Sequence, residues 1–165
     1  MKVFGIVGRR NSGKTHLLTR LLRLASARGL RVSTIKHAHH AFDVDQPGKD
    51  SYLHREAGAH EVLVASAQRW ALLHELRGTT EPSLQELLAH LQPCELVLVE
   101  GFKREVELRL EVYRASCGQA PLAFEDPGIL AVATDDAATF AGRSGLHCLP
   151  LDDHAAVLDY VLERA

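Results

Sequence analysis

The sequence predicts an α/β fold, a mostly parallel, twisted sheet flanked by helices, with one added β-hairpin. Three observations predict it. Short apolar runs at residues 3–7, 96–99 and 129–133 alternate with amphipathic segments, the pattern of strands covered by helices. The first run passes through a glycine-bracketed turn into a segment that places Leu17, Leu18, Leu21, Leu22 and Ala25 on one helical face. Finally, 165 residues suffice for one buried core and are too few for two ordinary ones, so a single domain is expected.

The elements follow in order. The first helix opens near Lys14 and stops at Gly29, a residue suited to a C-cap because it takes positive φ. Residues 31–36 read as the second strand, reached by a right-handed crossover. Residues 37–50 are too rich in His, Asp, Pro and Gly for regular structure, and loops of that length inside compact domains tend to be functional. A short helix at about 51–57 ends at Gly58, and residues 61–65 and 70–76 read as the two strands of a hairpin. Ser83 with Glu86 makes a capping box that opens a helix to about Leu91. The continuous apolar run 96–99 reads as a central strand. Residues 107–113 alternate polar and apolar, as a half-exposed additional strand would, and 129–133 is a second fully apolar run. Asp152 or Asp153 caps a last helix with Val157, Leu158, Val161 and Leu162 on one face.

Charge and cysteine usage exclude several classes. Lys+Arg 19 against Asp+Glu 21 gives a formal net charge of -2, which supplies no general electrostatic reason to bind nucleic acid or an anionic membrane. The three cysteines, Cys94, Cys117 and Cys148, are widely spaced and form no C-x-x-C pair, so neither a disulfide framework nor a zinc ribbon is expected. No apolar run reaches the length of a secretory core or a membrane span, which makes the cytoplasm the expected compartment.

The motif that carries chemistry is Gly8-Arg9-Arg10-Asn11-Ser12-Gly13-Lys14-Thr15, a match to G-x-x-x-x-G-K-[ST]. The glycines let the backbone fold so that successive N–H groups converge on phosphate oxygens, and the N-terminus of the following helix adds its dipole. Lys14 then reaches the β- and γ-phosphates, and the Thr15 hydroxyl ligates Mg²⁺. With an apolar strand before it and an amphipathic helix after it, the motif makes the fold P-loop NTPase-like and marks a nucleotide site; a purine nucleoside triphosphate is the expected ligand. Arg9 and Arg10 are unusual in such a loop and read as solvent-pointing; the other reading has one of them add charge to the phosphates. Glu100 closes a buried strand at the edge where ligands sit in parallel sheets, and Mg²⁺ would compensate that charge. Asp43, Asp45 and Asp50 are either turn formers or sensors of the γ-phosphate and metal. His37, His39 and His40 tempt a zinc reading, but no fourth ligand of recognised spacing completes it, so polar loop residues are expected. Asp135, at the end of the 129–133 strand, could accept from guanine N1–H and N2–H₂; the alternative is an ordinary turn.

Several of these segments together resemble the molybdopterin-guanine dinucleotide biosynthesis adaptor family, called MobB. They are the P-loop, Thr34-Ile35-Lys36-His37, Asp43-Val44-Asp45-Gln46-Pro47-Gly48-Lys49-Asp50-Ser51, Arg55 with Ala57-Gly58-Ala59, and Val97-Leu98-Val99-Glu100-Gly101-Phe102-Lys103. The likeness runs from residue 1 to about residue 140, and the D-x-P-G-K-D-S and V-E-G-F-K segments are more specific than the P-loop. The resemblance implies a GTP-binding protein with weak GTPase activity, usually dimeric, that assists a guanylyltransferase (MobA) joining GMP to the molybdenum cofactor. By position it implies phosphate and Mg²⁺ roles for Lys14 and Thr15, the second-strand acid for Glu100, and a signature loop of Pro47, Gly48, Lys49, Asp50 and Ser51 facing the nucleotide or the pterin. The chain departs from the family pattern at Arg9-Arg10 and at His16, where a second Thr is common. Two other readings stand beside this one. The first is a P-loop small-molecule kinase or ligase with Asp45 or Asp50 as base; the second is a metal-delivery GTPase using His37, His39 and His40.

Overall fold

The computed structural model describes residues 1–38, 42–102 and 105–165. In chain order the elements are β1 (Lys2–Val7), α1 (Lys14–Ala27), β2 (Val32–Lys36), α2 (Asp50–Glu56), β3 (Glu61–Ala65), β4 (Trp70–His74), α3 (Leu84–Ala89), β5 (Leu96–Glu100), β6 (Arg109–Tyr113), β7 (Ile129–Thr134), β8 (His147–Pro150) and α4 (His154–Arg164). They fall into two compact units, Met1–His37 with Leu84–Ala165, and Ala38–Ser83.

The larger unit is built on a six-stranded sheet in the order β2-β5-β1-β6-β7-β8. Every neighbouring pair runs parallel. The period-2 alternation of strand side chains then divides the core in two. On one face Phe4, Ile6, Leu96, Leu98, Leu110 and Val112 meet the apolar stripes of α1 and α4, including Leu17, Leu21, Val157 and Leu158. On the other, Ile35, Val97 and Val99 pack with Leu84 of α3 and with Phe102 and Val106. The mostly parallel α/β architecture expected from the sequence is therefore the one observed. Leu98→Ala, at a side chain with no exposure, is expected to destabilise the fold by about 2–5 kcal/mol. Urea unfolding measures it, and a loss of well under 1 kcal/mol would contradict this core.

Two expectations need correction. β6 is not a half-exposed addition: it lies inside the sheet between β1 and β7, and Arg109 through Val112 are all buried. Its two charged residues are compensated there. Arg109 pairs with Asp126 at 2.9 Å, and the Glu111 carboxylate accepts the Leu122 and Ala123 N–H groups, each at 2.8 Å. The short strand β8 was not anticipated; with only four residues, three of them exposed and a proline at its end, it carries no apolar run to signal it.

The smaller unit holds α2 and the β3–β4 hairpin, whose strands pair antiparallel with Leu63 opposite Leu72 and Ala65 opposite Trp70. Val62 is buried, while Leu63, Val64, Trp70 and Leu72 are exposed.

Candidate functional site

The parallel sheet brings the C-terminal ends of its strands to one edge, and the phosphate loop opens from β1 at that edge. The register sets Ile6 and Lys36 both opposite Glu100. Gly8 has φ +151°, Asn11 φ +64° and Gly13 φ +95°, and the Ser12 N–H donates to the Arg9 carbonyl at 3.3 Å. The chain thus reverses within the loop before Leu17 N–H to Gly13 O opens α1. Gly8 is required at its position. A Cβ there would lie 2.5 Å from the Val112 carbonyl oxygen and 2.6 Å from Ser12 Oγ. Gly8→Ala is therefore expected to cost ~1–3 kcal/mol of stability through backbone strain and to distort the loop. A variant that melts at the wild-type temperature would contradict this packing.

Inside the loop the Lys14 ammonium donates to the carbonyls of Gly8 (3.0 Å) and Arg9 (2.7 Å), which curls it over the turn. Ser12 is 2% exposed, and its Oγ has no hydrogen-bond partner among the described residues. A buried hydroxyl left unmatched in a turn of converging N–H groups fits a polar ligand that supplies the missing partner. Thr15 Oγ1 donates to Glu100 Oε1 at 3.4 Å, and Lys36 Nζ stands 3.8 Å from Glu100 Oε2. The hydroxyl and the carboxylate that the sequence separates by 85 positions are therefore adjacent. One carboxylate and one hydroxyl are oxygen donors of the kind Mg²⁺ takes, alongside phosphate and water oxygens. His37 N–H donates to the Glu100 carbonyl at 2.8 Å, and its ring lies against Phe102 with centroids 4.6 Å apart. Gly101 makes that turn possible, because a Cβ there would lie 2.6 Å from His37 Cβ. His16 is exposed on α1, its ring 6.3 Å from that of His154.

Arg9 differs from the solvent-pointing reading. Its guanidinium binds the Ala120 carbonyl at 3.2 Å and pairs with Glu125, so it braces the loop against the segment after β6. Arg10 is exposed. Asp135 stands at the end of β7. Its Oδ1 accepts the Ala115 N–H at 3.2 Å, and its Oδ2 is 3.4 Å from the Arg114 guanidinium. It also borders a cavity of about 400 Å³ lined by Thr134, Ala137, Leu149, Pro150 and Leu151.

Known proteins share this chain's pattern. A family model described as "Molybdopterin guanine dinucleotide synthesis protein B" matches residues 3–135. The chain belongs to the MobB family. It is 40% identical over 155 residues to the molybdopterin-guanine dinucleotide biosynthesis adapter protein of Escherichia coli (strain K12), covering 92% of this chain and 86% of that one. Against the protein of the same description from Haemophilus influenzae, identity is 42% over 136 residues, covering 81% and 74%. The crystal structure of Bacillus subtilis MobB superposes with a TM-score of 0.77 at 25% identity, over 99% of this chain and 97% of that one.

The segment from Asp43 to Ser51 lies in the smaller unit, where Arg55 organises it. The guanidinium, 13% exposed, pairs with Asp43 (2.8 Å), Asp45 (3.3 Å) and Glu75 (2.8 Å). Asp45 Oδ1 also accepts Ser51 Oγ at 2.8 Å and the Gln46 N–H at 3.0 Å. The Asp45 N–H, and after it the Arg55 guanidinium, hold the Asp43 carboxyl below its usual range. Pro47, Gly48, Lys49 and Asp50 are exposed on the turn that enters α2, with Lys49 at its N-cap. The sequence-predicted residues Asp45, Ser51 and Arg55 are thus joined in one network. His39, His40 and Lys103 lie outside the described residues. Among the described residues, no group of three or more His, Cys, Asp or Glu is placed to hold a metal ion. No described helix is long and apolar enough to cross a membrane. Sequence reasoning overlooked Glu111 and Arg114, which belong to no motif and acquire their surroundings only through folding.

Proposed function

We propose that this MobB-family chain binds GTP with Mg²⁺ at the phosphate loop, hydrolyses it slowly, and assists a guanylyltransferase that joins GMP to the molybdenum cofactor. The observation that carries the reading is the pairing of Thr15 Oγ1 with Glu100 Oε1 beside a loop whose buried Ser12 hydroxyl has no partner among the described residues. Gly8, Asn11, Ser12 and Gly13 form the phosphate cradle, and Lys14 gives up carbonyl contacts for phosphate oxygens. Thr15 and Glu100 hold the metal, and His16 borders the site from α1. Bound there, Mg²⁺ supplies charge neutralisation at the phosphate oxygens. Asp135 is the proposed reader of the guanine edge. In the larger unit, Lys36 and His37 beside Glu100 are offered to nucleotide or pterin. In the smaller unit, Asp45 is a further proposed metal ligand and orders its own loop, and Pro47, Gly48, Lys49, Asp50, Ser51 and Arg55 are offered to nucleotide or pterin. The chain acts as one cytoplasmic nucleotide-binding domain. It forms a homodimer, for which the exposed Leu63, Trp70 and Leu72 face of the hairpin is the contact.

Calorimetric titration of the purified chain with GTP and ATP, with and without Mg²⁺, tests the ligand. GTP is expected to bind at least about tenfold more tightly than ATP, a difference near 1.4 kcal/mol, and to need the metal. Equal affinity for ATP would overturn the reading. The adaptor role is tested by adding the chain and GTP to a guanylyltransferase of this biosynthesis. Unchanged product formation would refute it, and sedimentation of a monomer alone would refute the dimer.

A further inference from the structure

Arg114, the residue after β6, belongs to no motif, yet it stands where two halves of the proposed site meet. A Cβ added at Gly13 would meet a single side chain, the Arg114 guanidinium, with Nε at 3.2 Å. Gly13 is the N-cap of α1. A cation parked at a helix N-terminus faces the positive end of the helix dipole, which is unfavourable without an anion nearby. Among the described residues the anion paired with it is Asp135, at 3.4 Å, and both side chains are about a third exposed (33% and 36%). An ion pair that long and that wet contributes little. The segment around it is tied to both ends of the site. Ala115 N–H holds Asp135 Oδ1, and Cys117 Sγ donates to the Asn11 carbonyl of the phosphate loop at 3.3 Å. Asp135 in turn borders the cavity at the ends of β7 and β8.

We propose that Arg114 is a nucleotide-contacting residue, the second cation of the phosphate site, which also sets Asp135 toward the base. Resting on the nucleotide reading above, this makes one side chain couple phosphate affinity to base choice. A polyphosphate entering the loop supplies the anion that the guanidinium lacks beside Gly13, and its planar fork matches phosphate oxygens in a way that a lysine does not.

The test is titration of the full-length wild type, Arg114→Ala, Arg114→Lys and Asp135→Asn with GTP, GDP, GMP and ATP in Mg²⁺, together with ligand-free melting curves. Arg114→Ala is expected to weaken GTP and GDP binding by about tenfold or more and to lower the GTP-over-ATP ratio. Arg114→Lys should regain part of the affinity but not the ratio. Asp135→Asn should lower the ratio while GTP and ATP converge. The inference is overturned if Arg114→Ala, or Arg114→Lys should the alanine variant melt early, binds GTP and discriminates ATP as the wild type does. A wild-type chain that binds no nucleotide would remove the nucleotide reading itself, which is a distinguishable result.

Discussion

Lys14→Ala is expected to weaken GTP binding by about a hundredfold or more, with little change in the ligand-free melting temperature. The asymmetry follows from where the ammonium sits. In the ligand-free chain it donates to two carbonyls of its own loop, Gly8 and Arg9, and these are contacts that water replaces at small cost. Toward a triphosphate, the same group would make charge-assisted hydrogen bonds worth roughly 1.5–3 kcal/mol each. The neighbouring Arg9 guanidinium does not substitute for it, since it is engaged by Ala120 and Glu125. Binding is the decisive measurement, because it reports the phosphate contacts directly and needs no turnover. Lys14→Ala with wild-type affinity would refute phosphate binding by this loop, whereas a large drop in melting temperature would mean that the two carbonyl contacts hold the loop together.

Legibility in the sequence followed how local each feature is. The phosphate loop was readable because its eight residues are consecutive and its flanking strand and helix carry their own periodicities. Glu100 was readable because it ends an apolar run. Thr15 and Glu100 meet only through the parallel pairing of β1 with β5, yet the motif logic anticipates that meeting. β6 was misread for a physical reason. Arg109 and Glu111 alternate with Leu108, Leu110 and Val112 as in a half-exposed strand, but their partners come from the segment at 122–126, beyond the strand itself. Periodicity reports polarity; it does not report whether a buried polar group will be satisfied from elsewhere. Arg9 escaped for the same reason, its partners lying 111 and 116 positions away.

Glu111 carries the largest expected effect on stability. Its side chain has no exposure, and its two carboxylate oxygens accept the Leu122 and Ala123 N–H groups at the start of the turn that Arg9 also grips. Glu111→Ala leaves two buried donors unmatched and a cavity beside β6, and it is expected to cost about 3–5 kcal/mol. Glu111→Gln keeps one acceptor and most of the volume, so it should cost less. Burial pushes the Glu111 carboxyl above its usual pKa, outweighing the two N–H donors and the nearby Arg9 charge. Between the unfolded carboxylate value and the raised folded value, the folded chain therefore binds more protons than the unfolded one. The stability associated with that proton is fully present below the unfolded carboxylate value and is lost as pH rises through the raised folded value. Urea unfolding followed upward from below the unfolded carboxylate value should accordingly show a contribution in the wild type that falls with rising pH and that Glu111→Gln removes. If the two proteins ran parallel across that range, Glu111 would not be the titrating group, and a Glu111→Ala chain as stable as wild type would mean that the 122–124 turn is held by other contacts.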